Sequence, residues 1–182
     1  MYIKHNALTI ASAEEGDLPE LEALYREACG YLKFDTERPL CPPAQCLSGG
    51  ELPMGGTLAN YDLLTIRVGD TMIGSASVYR DLPNTRNVRL LSRYIGQPAR
   101  GFGSGTQAME MLRGYFLSTN YETMTARVPL RSWGALRFFD RQGFRTVLEL
   151  KAPGDIAEGR FGCVELGCNL KAAALRIKNT IV

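Results

Sequence analysis

The run Arg100-Gly101-Phe102-Gly103-Ser104-Gly105 stands between an apolar, strand-like segment from Asn87 to Ile95 and an amphipathic, helix-like segment, and no other feature constrains the chain as much. Glycines at alternate positions let a backbone take left-handed conformations and come close to an anion. A helix that starts directly behind them adds unpaired N–H groups and its positive dipole end. A strand, loop and helix in this order form a phosphate cradle made of main chain. For three glycines taken alone, an ordinary strand-to-helix turn is the plain alternative.

Spacing narrows the choice. A nucleotide-triphosphatase loop needs Lys-Ser/Thr behind its last glycine, where this chain has Thr106-Gln107. A dinucleotide fingerprint needs two residues between its second and third glycines, and here there is one. Arg100, Gly103 and Gly105 instead meet the pattern Arg/Gln-x-x-Gly-x-Gly/Ala, the acyl-coenzyme A signature of the GNAT acetyltransferase superfamily. A second stretch, Ser132-x-x-Ala135-x-x-x-Phe139-x-x-x-Gly143-Phe144, is similar to that family's Asn-x-x-Ala-x-x-x-Tyr-x-x-x-Gly-Phe. It keeps the frame and replaces two polar members. Met124 to Val128 reads as the strand between the motifs, so the chain resembles the family from about Leu63 to Phe144.

The remaining pattern supplies the order of elements. Ala7 to Ala13 reads as a strand, and Asp17, Pro19 and Glu20 as the start of a helix with Leu18, Leu21, Leu24, Tyr25, Ala28 and Leu32 on its buried stripe. Residues 33–61 are rich in Pro and Gly and too long for a simple connection, which suggests a partly ordered lid. Leu63 to Val68 and Thr71 to Tyr79 form a hairpin about Gly69-Asp70. In the strand from Asn87, simple alternation puts Val88, Leu90, Ser92 and Tyr94 on one face and Arg89, Leu91, Arg93 and Ile95 on the other. Ser132 to Gln142 reads as a helix stopped by Gly143. Phe144 to Leu150 and Phe161 to Leu170 read as a closing antiparallel pair, with a tail or terminal helix from Lys171.

The resemblance implies one GNAT-like domain over residues 1–182, of the α/β (α+β) class, with a mixed, largely antiparallel central sheet flanked by helices. It implies acetyl-CoA as co-substrate. Amides of Gly101, Phe102, Gly103, Ser104, Gly105 and Thr106 would hold the pyrophosphate, Arg100 would add charge, and an amide near Ile95 would polarise the thioester carbonyl. The motif positions Ser132 and Phe139 would line the coenzyme. The family's acidic base falls at Ser92, in a strand without Asp or Glu, so a water relay has to replace it. Its usual acid, the motif tyrosine, is Phe139, which has no proton to give. Tyr94 at the strand end is the favoured substitute, with Tyr121 and Cys163 as the others, while packing is the plain role for both Tyr94 and Phe139. Arg93 is the strand arginine nearest the loop, suited to an acceptor that carries a carboxylate.

Composition removes several classes. At 182 residues, with 45% hydrophobic and 22% charged residues, the chain can bury a substantial core. Its net charge of +2 comes without a basic run, which gives no reason to expect nucleic acid. No apolar run approaches membrane-spanning length and Met1 to Ile10 does not read as a signal peptide, so a cytoplasmic protein is expected. Cys29, Cys41, Cys46, Cys163 and Cys168 are odd in number and lack C-x-x-C spacing, which favours reduced thiols over disulfides and over a metal site. His5, the one histidine, reads as a surface residue.

Two readings follow. The first is an N-acetyltransferase that moves acetyl from acetyl-CoA to a primary amine of a small molecule, possibly amino-acid-like, by direct attack, with a homodimer left open. The second is a catalytically impaired acyl-CoA-binding module for sensing or complex assembly, which accounts for the absent base and tyrosine together.

Overall fold

The computed structural model describes residues 1–31, 40–152 and 162–172. Among these residues eight strands form one sheet: β1 (Tyr2–His5), β2 (Leu8–Ser12), β3 (Tyr61–Val68), β4 (Thr71–Arg80), β5 (Asn87–Ile95), β6 (Thr123–Pro129), β7 (Thr146–Lys151) and β8 (Cys163–Asn169), in the order β1-β2-β3-β4-β5-β6-β8-β7. Every neighbouring pair is antiparallel except β5 and β6. That parallel pair is joined by a helical crossover, α3 (Ser104–Ser118), as parallel strands require. The other helices are α1 (Leu18–Tyr31), α2 (Pro43–Leu47) and α4 (Trp133–Arg141). The largely antiparallel mixed sheet expected from the resemblance is present.

Each sheet face has its own core. On one, Met109, Leu112 and Phe116 of α3 and Phe139 of α4 pack on Ile10, Ile66, Val78, Leu90 and Val128. Burying a side chain of the size of Phe116 contributes about 1.5–3 kcal/mol. On the other, Leu21 of α1 and Cys46 of α2 pack on Tyr61, Leu63, Met72 and Tyr79. Part of the expected lid is therefore a packed layer: within 40–60, α2 seats Cys46 against the sheet and a 3-10 turn at Leu58–Asn60 leads into β3.

Several details differ from the sequence expectation. A short strand, β1, precedes the expected first strand; its alternation is weak because it edges the sheet, with three of its four residues exposed. A 3-10 turn at Glu15–Asp17 precedes α1, and the Asp17 carboxylate accepts the Glu14 N–H at 2.9 Å, so Asp17 closes this turn rather than opening the helix. At the end of α4, Gly143 takes φ +89° and passes its N–H to Asp140 O while Phe144 N–H bonds Phe139 O, a left-handed stop of the expected kind. Leu32, residues 33–39, Phe161 and the tail from residue 173 lie outside the described residues.

Candidate functional site

The site begins with a divergence of two strands. β5 pairs with β6 only from Asn87↔Thr123 to Leu90↔Ala126, yet β5 continues to Ile95 and β6 to Pro129. Beyond Leu90 the two separate, and the β5 edge facing β6 has no strand partner among the described residues. The break coincides with a bulge against β4, where Ser77 opposes Ser92 but Val78 opposes Leu90, leaving Leu91 as the extra residue.

That bulge reverses the alternation. Leu90 shares the face of Val78, whereas Ser92 shares the face of Ser77, so Ser92 and Tyr94 lie on the α1 side and Arg93 and Ile95 on the α3 side with Val88 and Leu90. The faces expected from simple alternation are thus corrected from Ser92 onward, while Leu91 keeps its expected face with Arg89. A bulge is set by pairing with a neighbouring strand, and nothing within Asn87–Ile95 announces it.

The main chain of Ile95 is turned toward the opening. Gly96 N–H donates to Ile73 O at 2.8 Å, which makes Gly74↔Ile95 a non-hydrogen-bonded pair, so both polar groups of Ile95 point away from β4. Its carbonyl accepts from Arg100 Nε at 2.7 Å, and its N–H faces the separation of the strands. Arg100 also stands 4.9 Å from the Tyr94 ring centroid. Its role here is to brace the strand end.

After a 3-10 turn at Gln97–Ala99 the chain enters the glycine loop. Gly101 and Gly103 have φ +83° and +85°, and a Cβ on either would meet nothing within 4 Å. Glycine is required there by backbone conformation, and the space beyond is open for a ligand. Gly103 caps α3 without a side-chain bond, so the N–H groups of Ser104, Gly105 and Thr106 have neither an intrahelical acceptor nor a side-chain cap. Phe102 is 84% exposed at the loop tip. The Thr106 hydroxyl accepts from Gln142 Nε2 at 3.4 Å and so is directed toward the end of α4.

The loop, the first turn of α3 and Ile95 converge at the opening. Other expected residues surround it in different ways. Ser132 sits at the N-terminus of α4, three residues beyond β6, and makes no capping bond. Phe139 is buried, edge-on to Phe144 at 5.0 Å and Phe138 at 5.5 Å. Ser92 Oγ is 2.6 Å from Ser77 Oγ. Tyr94 is 8% exposed and its hydroxyl is buried with no hydrogen-bond partner among the described residues. Burial, with the Glu27 carboxylate as a smaller cause and Arg100 opposing, pushes its pKa up to about 12. Among the described residues, no group of His, Cys, Asp or Glu is arranged to hold a metal ion.

One contributor escapes sequence reasoning, and a second, Arg93, lies on another face than expected. Glu27 of α1 accepts the Gln97 N–H at 2.6 Å and ties the helix to the turn before the loop. Arg93 lies on the α3 face, its guanidinium carbon 3.8 Å from the Phe138 ring centroid. Unbroken alternation had placed it on the opposite face.

No protein-family model matches the sequence, and no curated protein matches it. Solved structures do. A ribosomal L7/L12 α-N-protein acetyltransferase superposes with a TM-score of 0.75 at 13% identity, over 93% of this chain and 94% of its own. The fold is that of the GNAT N-acetyltransferases. A chimeric spermidine N-acetyltransferase from Vibrio cholerae gives a TM-score of 0.72 at 14% identity, over 92% and 98% of the two chains. A GCN5-related N-acetyltransferase from Kribbella flavida gives 0.68 at 21%, over 90% and 98%. The L7/L12 enzyme has also been solved in complex with coenzyme A. Within this GNAT fold, the divergence of β5 and β6 and the glycine loop are neighbours in space, joined by one short turn.

Proposed function

We propose that residues 1–182 form one N-acetyltransferase domain, which takes acetyl from acetyl-CoA and passes it to a primary amine of a small molecule. The observation that carries this reading is the meeting of uncapped α3 amides, the free Ile95 N–H and the open β5 edge at a single opening. A pyrophosphate fits the loop, because the space beyond Gly101 and Gly103 is clear and the amides lack acceptors. A thioester oxygen near the Ile95 N–H would be polarised by a main-chain donor that needs no rearrangement.

Proton transfer falls to weaker groups. Tyr94 keeps its proton well beyond neutral pH, as a donor to a departing thiolate must. Ser92, bonded to Ser77, has hydroxyl lone pairs but no carboxylate strength, so it can relay a proton through water and no more. At pH 7 about 0.04% of lysine-type amines and roughly 10% of α-amino groups are neutral. A weak base therefore favours an acceptor of low amine pKa, such as an amino-acid-like molecule. Solved relatives with this fold include enzymes for ribosomal protein N-termini and for spermidine, so protein α-amines belong in the same test. The five free cysteines suit a cytoplasmic setting, and a homodimer is compatible with this reading.

Buried Phe139 favours the second reading, a catalytically impaired acyl-CoA-binding module, since the ring is core rather than a lining of the site. A thiol-release assay with acetyl-CoA and a panel of amino acids, polyamines and short peptides separates the two. Turnover on any amine supports the enzyme. Tight acetyl-CoA binding with no release on the whole panel supports the module.

A further inference from the structure

The other arginines on the strands are matched by carboxylates, and buried Arg113 of α3 donates to Gln142 O. Arg67, Arg80, Arg86, Arg89 and Arg127 each lie within 4.0 Å of a carboxylate. Arg93 has no such partner among the described residues, and its Nε is buried without a hydrogen bond. The bulge at Leu91 turns this side chain under α3, where the guanidinium stacks on Phe138. It reaches so far under the helix that a Cβ on Gly105 would lie 3.0 Å from Arg93 Nη1.

The arrangement leaves one sign of charge unanswered. A half-buried cation without a counter-ion among the described residues is costly, and this one is drawn up against the positive first turn of a helix, where a cation is disfavoured again. Burial pulls the Arg93 pKa down to about 10. A leucine would fill the same space without these costs, so packing alone does not account for the residue. An anion on the α3 turn would offset all of them.

We propose that Arg93 is an anion-binding residue of the coenzyme site, its guanidinium pairing with the phosphoanhydride of an acyl-coenzyme seated on the first turn of α3. This rests on the acyl-CoA reading above. The fork of a guanidinium matches phosphate oxygens, and the Phe138 ring holds its plane.

The test compares coenzyme A with pantetheine, which lacks the phosphates, by calorimetry on the parent and on Arg93→Met, which keeps an apolar stem. The Kd for coenzyme A should rise at least about tenfold while that for pantetheine changes less than about twofold. Equal losses for both ligands, or no loss for either, would overturn the proposal. Should Arg93→Met fail to fold by circular dichroism, the Nε–H signal of Arg93 in 15N-arginine-labelled parent protein, assigned with Arg93→Lys, gives the answer. It should shift with coenzyme A and stay in place with pantetheine, and a stationary signal sinks the idea. Inorganic pyrophosphate separates the two layers. Arg93-dependent pyrophosphate binding without coenzyme A binding would remove the acyl-CoA reading and retain the anion site; no binding of either removes both.

Discussion

Ser77 Oγ and Ser92 Oγ lie 2.6 Å apart across β4 and β5, so the side chain standing where the resembled family keeps its base is already bonded to a fully buried neighbour. The pair is set by the register Ser77↔Ser92 at the bulge. The atom proposed to relay a proton is thus also part of a structural hydrogen bond.

Removing one member should therefore be felt in the fold. Ser92→Ala leaves the Ser77 hydroxyl buried and unpaired, at a cost of about 1–3 kcal/mol in denaturant unfolding. The double change Ser77→Ala/Ser92→Ala should recover most of that loss, which a double-mutant cycle reads directly. If Ser92 also relays the acceptor proton, folded Ser92→Ala loses at least about tenfold in kcat, with KM for acetyl-CoA unchanged.

Gly103 makes a prediction about conformation. With φ +85° and open space at its Cβ position, Gly103→Ala should strain the backbone without any clash. The distorted loop should hold acetyl-CoA at least about tenfold more weakly. Gly103→Asn should be milder, because Asn tolerates the left-handed region better than other side chains. Calorimetry on the two variants orders them, and equal affinities for parent, Ala and Asn would take the pyrophosphate away from this loop.

Tyr94 gives the pH dependence. Its pKa is raised to about 12 in the fold from an ordinary value near 10, so the folded chain holds this proton more tightly than the unfolded chain. The associated stability is intact below pH 10 and is lost as the pH rises toward 12. Tyr94→Phe should make the fall in stability over that interval less steep, and should leave stability at pH 7 unchanged or slightly higher, since the lost hydroxyl has no partner. If Tyr94 protonates the thiolate, kcat falls about a hundredfold or more; an unchanged rate removes it from the chemistry.

What was legible in the sequence was local. The glycine loop, the Gly69-Asp70 hairpin and the Gly143 stop each depend on φ values that few residues accept, and each is where its sequence puts it. The faces of β5 beyond Leu91 were not legible, because one extra residue between the partners of Val78 and Ser77 is a property of two strands at once. The same slip put Arg93 on the wrong face, away from its neighbours Gly105 and Phe138, which are 12 and 45 residues away in the chain. The motif marks the loop proposed to hold an anion, but not the packing of Arg93 beneath it.

Phe139 is where the chain departs most clearly from the family it resembles, and its surroundings decide what a repair would do. The ring is 7% exposed and lies between Phe138 and Phe144. A hydroxyl added by Phe139→Tyr enters an apolar cluster and, left unpaired, should cost about 1–3 kcal/mol in thermal or denaturant unfolding. Turnover in the thiol-release assay should not rise, because in an active enzyme the acid is elsewhere. The impaired-module reading makes the opposite forecast: the hydroxyl returns to the family's motif position and transfer appears on an amine that the parent acetylates poorly or not at all. A clear gain in rate would therefore favour the module, and a stability loss without gain favours the enzyme.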